Sequence, residues 1–110
     1  MQITKTLGPV TVLSISGSID STTFFDFIKE AEEVIKSGHA RLVVDLGDVD
    51  FVSSGGLKAL QTIAIRAVSH DGKMVLSCVG KEVSEVLSTT GFDKILDIFP
   101  DVAAAKASFD

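Results

Sequence analysis

Ser53-Ser54-Gly55-Gly56 is the stretch whose residue types and spacing most directly admit chemistry. An apolar strand pattern, Leu42-Val43-Val44-Asp45-Leu46, runs into an acidic segment holding Asp45, Asp48 and Asp50, which reads as a solvated turn. An apolar helical pattern then starts at Leu57. The two hydroxyls therefore stand at the mouth of a helix, where backbone N–H groups lack intrahelical partners and the dipole favours negative charge. Ser54 in that place is a helix cap accepting an N–H from Gly56 or Leu57, a phosphorylation site, or a nucleophile. As a cap it leaves the glycines to ease a tight strand-to-helix turn. As a phosphoserine it carries about −1.5 to −2 charges, set against unpaired N–H groups and beside three acids.

The nucleophile fails on geometry. A nucleophile elbow needs Gly-x-Ser-x-Gly, and Val52 stands where the first glycine belongs. The histidines are His39 and His70. A helix from Gly55 to His70 is about 22 Å long at about 1.5 Å per residue, so His70 cannot serve Ser54 as a base. His39 falls at the start of a strand whose far end leads to Ser54. Both histidines read as surface residues at element ends. No Gly-x-Gly-x-x-Gly or Gly-Lys-Ser/Thr is present to cradle a nucleotide. No metal site is expected, because the three aspartates lack paired histidines and Asp48-Val49-Asp50 is too short for a calcium loop. Cys78, in an apolar run, reads as a small core residue.

The surrounding pattern supplies the elements that hold this stretch. Gln2–Leu7 forms a short edge strand, Gly8-Pro9 a turn, and Val10–Ser16 a second strand ended by Gly17-Ser18-Ile19-Asp20. Thr23 with Asp26 resembles a capping box. Phe24, Phe27, Ile28, Ala31, Val34 and Ile35 then share one helical face, with Phe25 off it as a candidate partner contact. Lys36 and Gly38 end that helix. Arg41–Leu46 is a strand suited to a sheet buried on both faces. Leu57, Leu60, Ile63, Ala64, Ala67 and Val68 give the next helix, closed by Asp71-Gly72. Lys73–Val79 is a strand, Gly80–Thr90 a short helix stopped by Gly91, and Lys94–Phe99 a short strand. Pro100-Asp101 opens a last helix, with proline in its first turn.

The order β β α β α β α β α predicts an α/β fold with a mixed sheet of about five strands and about four α-helices. The first two strands, joined by a tight turn, are expected antiparallel and the rest parallel. The 110 residues fit a single domain spanning 1–110, with 45% hydrophobic residues for its core. A net charge of −5 argues against direct nucleic-acid binding. No apolar run reaches the ~18–20 residues of a membrane span. With one cysteine and no secretory pattern at the N-terminus, the chain reads as cytoplasmic and inserted in no membrane.

Three segments together resemble the STAS domain family, and within it the stand-alone anti-sigma factor antagonists (anti-anti-sigma factors) of bacteria. Gly17-Ser18-Ile19-Asp20 is similar to the family's G-x-[hydrophobic]-D after its second strand. Val43 to Leu57 is similar to its strand, short loop and D-S-S-G-L or S-S-A-G-L helix start. Thr89 to Phe99 is similar to its terminal T-G-[apolar]-x-K-[apolar] segment. The resemblance covers essentially the whole chain and implies the STAS-like (SpoIIaa-like) sheet-and-helix fold.

It further implies a partner switch that is not an enzyme and needs no cofactor. Unphosphorylated, such a protein binds an anti-sigma factor that is also a serine kinase of the GHKL type, and so releases a sigma factor. Phosphorylation ends binding, and a serine phosphatase resets the switch. Alignment on Gly56-Leu57 makes Ser54 the expected acceptor, with Ser53 the alternative. The implied partner-binding rim comprises Asp20, Ser21, Phe25, Asp48, Asp50, Val52, Ser53, Ser54, Gly55, Gly56 and Lys58. Ser53 departs from the family by replacing an acid, and Gly55 by replacing Ser or Ala. The chain is expected as a monomer or weak dimer. Two other roles remain open: a STAS subunit of a larger assembly, such as a lipid-transport ABC system or a stressosome-like complex, without phosphorylation; and a small serine hydrolase, which the histidine geometry opposes.

Overall fold

The computed structural model describes residues 1–110. Its elements are β1 (Gln2–Thr6), β2 (Thr11–Ile19), α1 (Phe24–Lys36), β3 (Arg41–Val52), α2 (Ser54–Ser69), β4 (Lys73–Ser77), α3 (Lys81–Thr90), a 3-10 turn (Phe92–Lys94), β5 (Ile98–Phe99) and α4 (Val102–Ala107). The five strands form one sheet in the order β1-β2-β3-β4-β5. β1 is antiparallel to β2, and the remaining pairs are parallel. The expected fold class, strand number and helix number therefore hold.

Alternation along the central strands explains how the sheet is covered. Leu42, Val44 and Leu46 of β3 join Leu13 and Ile15 of β2 and Met74 and Leu76 of β4 in a core of 23 buried residues under α1, α2 and α3. Val43 points the other way with Val12 and Val75, into a smaller cluster roofed by Ala105 of α4. A strand with helices on both faces reads as a continuous apolar run, and Leu42-Val43-Val44 is such a run.

Several boundaries differ from the sequence expectation, and the largest difference lies beside Ser54. β3 does not stop at Leu46. It continues to Val52, so Asp48 and Asp50 lie in a strand, not in a solvated turn. β2 likewise runs through Gly17 to Ile19, and Ser16 pairs with Asp48, Gly17 with Val49, and Ile19 with Val52. The pairing carries register shifts between Ser14 and Ser16 and between Gly17 and Ser18, and Gly17 has φ +92°. Bulges of this kind break the strict two-residue alternation that marks a strand in sequence. Buried Val49 and Val52 are accordingly spaced by three.

At the other end of the chain, β5 is only Ile98–Phe99, because Phe92–Lys94 forms a 3-10 turn after left-handed Gly91. α4 begins at Val102, with the Asp101 carboxylate accepting Ala104 N–H at 2.7 Å, so Pro100 precedes the helix and is not in its first turn. β4 ends at Ser77. Cys78 is half-buried with φ +59°, and is not the buried strand residue expected.

Candidate functional site

Parallel strands deliver β2 and β3 to the same pole of the sheet, and their last residues, Ile19 and Val52, pair there. The Ser53 N–H donates to the Ile19 carbonyl at 2.9 Å, which joins the start of α2 to the end of β2. Gly56 sits against that same carbonyl. A Cβ there would overlap the Ile19 oxygen and stand 2.9 Å from Val52 Cγ1. At Gly55 a Cβ would meet only ordinary contacts, 3.5 Å from the Ser21 Cα and N. Neither glycine has a positive φ. Gly56 is thus needed for close approach of two backbones and not for the turn conformation expected from sequence.

The cap falls on the other serine. Ser53 is extended (φ −83°, ψ 177°) and its Oγ accepts the Gly56 N–H at 3.2 Å. Ser54 is the first residue of α2 and is exposed. The expectation that Ser54 caps the helix is therefore corrected. An N-cap must be non-helical while its side chain reaches back to the N–H two or three residues on, and Ser53 meets that condition. The Ser54 hydroxyl is left facing solvent beside first-turn N–H groups that no helical carbonyl can reach.

The β2–α1 loop flanks the serines. Asp20 Oδ1 accepts from the Thr22 N–H at 2.9 Å and the Thr22 hydroxyl at 2.6 Å. The Thr22 hydroxyl, then the Thr22 N–H, hold the Asp20 carboxyl below its usual range. Thr23 makes no side-chain cap to α1, so the capping box read from Thr23 and Asp26 is absent. The Thr23 Oγ1 instead accepts the Asp20 N–H and donates to the Ser18 carbonyl, both at 3.0 Å. Two residues into the helix, Phe25 is 73% exposed and its ring lies against Phe24 with centroids 4.2 Å apart.

The structure brings Asp20, Ser21, Val52, Ser53, Ser54, Gly55 and Gly56 together, with Phe25 and exposed Lys58 on the first turns of the adjoining helices. Asp50 is close by, two residues before Val52, and accepts the Ser18 hydroxyl at 3.1 Å. Asp48 lies about 13 Å back along the strand from Val52 at about 3.3 Å per residue. Phe51, 53% exposed, was not singled out from sequence. An aromatic residue inside an apparent turn carries no signal of exposure; knowing that β3 extends to Val52 supplies it. His70, at the far end of α2, is exposed, and half-buried His39 engages Ser37, so neither meets the serines. No group of three or more His, Cys, Asp or Glu residues is arranged to hold a metal ion. A hollow of about 380 Å³ between α2 and the 3-10 turn is lined by Ile65 and Val68 on the distal half of α2 and by Ile95 after the turn, away from Ser54.

A mixed sheet whose parallel ends present a capped helix start, a free serine and an exposed aromatic defines a small α/β module. The STAS domain model matches residues 2–105, and the chain belongs to that family. It is 31% identical over 90 residues to the anti-sigma-F factor antagonist RsfB of Mycobacterium tuberculosis, covering 82% of this chain and 73% of that one. The crystal structure of an anti-sigma factor antagonist from Mycobacterium paratuberculosis superposes with a TM-score of 0.84 at 27% identity, covering 97% of this chain and 93% of that one. The anti-sigma factor antagonist SpoIIAA in its unphosphorylated form shares the fold at a TM-score of 0.74 and 12% identity, covering 97% and 94%. SpoIIAA has also been solved in a phosphorylated form.

Proposed function

We propose that this chain is an anti-sigma factor antagonist that binds an anti-sigma factor of the serine-kinase type through the Ser54 pole and is switched off by phosphorylation of Ser54. The observation that carries this reading is the division of labour between the serines. Ser53 uses its hydroxyl to hold the helix, whereas Ser54 offers a free one at the surface. In the transfer, the Ser54 oxygen forms a bond to the γ-phosphorus of ATP, the bond to the β–γ bridging oxygen breaks, ADP leaves, and the hydroxyl proton passes to a base of the kinase. A serine phosphatase hydrolyses the ester and restores the hydroxyl.

The chain tolerates the product because the phosphoryl group sits at the positive end of α2. The bound partner does not tolerate it: nearly two added negative charges must be desolvated against Asp20 and Asp50. A coupling of about 1–3 kcal/mol changes affinity roughly 5–150-fold, which is ample for a switch. Isothermal titration of an anti-sigma factor of the GHKL serine-kinase type with wild type and Ser54→Asp tests the reading. A Ser54→Asp chain that binds as tightly as wild type would sink it.

A further inference from the structure

Away from the Ser54 pole, α2 carries apolar residues that the core does not use. Its buried stripe includes Leu57, Leu60, Ile63 and Ala67, whereas Ile65 and Val68 beside that stripe are 61% and 64% exposed. Ile95, just after the 3-10 turn, is 68% exposed. These three side chains border the hollow of about 380 Å³ between α2 and the turn. Met74 and Leu96, both buried members of the main core, and half-buried Phe92 line it too, so its lining is mainly apolar. The charged residues of the lining are Lys73 and Asp97, whose Nζ and Oδ2 meet at 2.7 Å in a solvent-exposed pair.

We propose that this face receives the same face of a second copy of the chain, in a weak two-fold dimer. A two-fold interface sets one patch against itself, so the patch must supply both knobs and holes. Ile65, Val68 and Ile95 are the knobs, and the hollow they border is the hole. The charges are self-complementary in the same sense. One cation and one anion lie in the lining, so Lys73 of each copy can take Asp97 of the other in place of its own. The lining is neutral on a chain of net charge −5, so two copies meet there with the least repulsion, and a strongly charged partner finds no opposite surplus. Area sets the strength. Three aliphatic side chains exposed to this degree offer on the order of 300 Å² of apolar surface, a patch size that marks interaction sites. Two such patches with their rims bury about 1,000 Å², the lower bound of a specific interface, which makes the dimer concentration-dependent. The dimer is independent of the proposed switch, because the patch lies on the distal half of α2 and leaves both Ser54 poles free.

Sedimentation equilibrium of the full chain over a concentration series tests the proposal. Wild type shifts from monomer toward dimer as concentration rises. Ile65→Gln combined with Val68→Gln weakens the dimer about tenfold or more. Both positions are exposed, and an unchanged thermal melt of the dilute variant shows that the fold is kept. A charge exchange tests the pairing itself. Lys73→Asp and Asp97→Lys each weaken self-association, because each sets like charges together across the two-fold. An equimolar mixture of the two variants recovers it, because every cation of the mixed dimer again faces an anion. The intrachain pair that both variants lose is exposed and contributes little to folding. A chain that stays monomeric at every concentration, a dimer untouched by the Ile65 and Val68 substitutions, or a mixture no more associated than either charge variant alone overturns the proposal. A monomer that instead binds anilinonaphthalene sulfonate in the hollow would also overturn it and make the hollow a small-molecule site.

Discussion

At the scale of single residues, two adjacent serines are placed differently: Ser53 caps α2 and Ser54 leaves its hydroxyl exposed. Ser53→Ala removes the bond from Gly56 N–H and should cost about 0.5–2 kcal/mol in urea unfolding. Ser54→Ala deletes an exposed hydroxyl and should stay within about 0.5 kcal/mol of wild type. The glycines separate in the same way. Gly56→Ala drives a methyl into the Ile19 carbonyl and should cost about 1–3 kcal/mol. Gly55→Ala meets open contacts and gains helix propensity of up to about 1 kcal/mol, so it should raise the melting temperature. Asp20 links the loop to pH. Its carboxyl is depressed in the folded chain, chiefly by the Thr22 hydroxyl and N–H. The stability it contributes is therefore fully present above its unfolded pKa and is lost as pH falls through the folded one. Asp20→Asn should show a shallower loss of stability on acidification than wild type, measured by thermal melts across the acid range.

At the scale of elements, periodicity decided what was legible. α1 and α2 were readable because their apolar residues recur at helical spacing over three or more turns; the buried residues of α1 all lie on its expected face, while in α2 Leu57, Leu60, Ile63 and Ala67 are buried as expected, Ala59 joins them and Val68 is exposed. Within α1, Phe27 is fully buried and Phe25 is the outlier. Phe27→Ala should therefore cost about 3–5 kcal/mol in chemical unfolding, whereas Phe25→Ser should leave stability nearly unchanged. The second half of β3 was not readable. Two bulges in its pairing with β2 disrupt the alternation, and Gly47, Asp48 and Asp50 have the composition of a turn. Which serine caps α2 was likewise hidden, because either fits the cap preference and only the backbone angles of Ser53 decide. The surroundings of Ser54 were legible through the three matched segments.

At the scale of the whole molecule, the sheet gathers its changeable chemistry at one end. The C-terminal ends of β2 and β3 bring the Asp20 loop, Asp50, Ser53 and Ser54 to a single pole, while α1, α2 and α3 bury the main core behind it. A phosphoryl group added there would change the charge of the proposed contact surface without entering the core, so the proposed switch acts on binding and not on folding. The most direct measurement is incubation with the kinase and ATP, followed by intact mass and mapping of the modified residue. One phosphate on Ser54, retained in Ser53→Ala and absent from Ser54→Ala, is the result this account predicts. Phosphate confined to Ser53, or still added in Ser54→Ala, would contradict it.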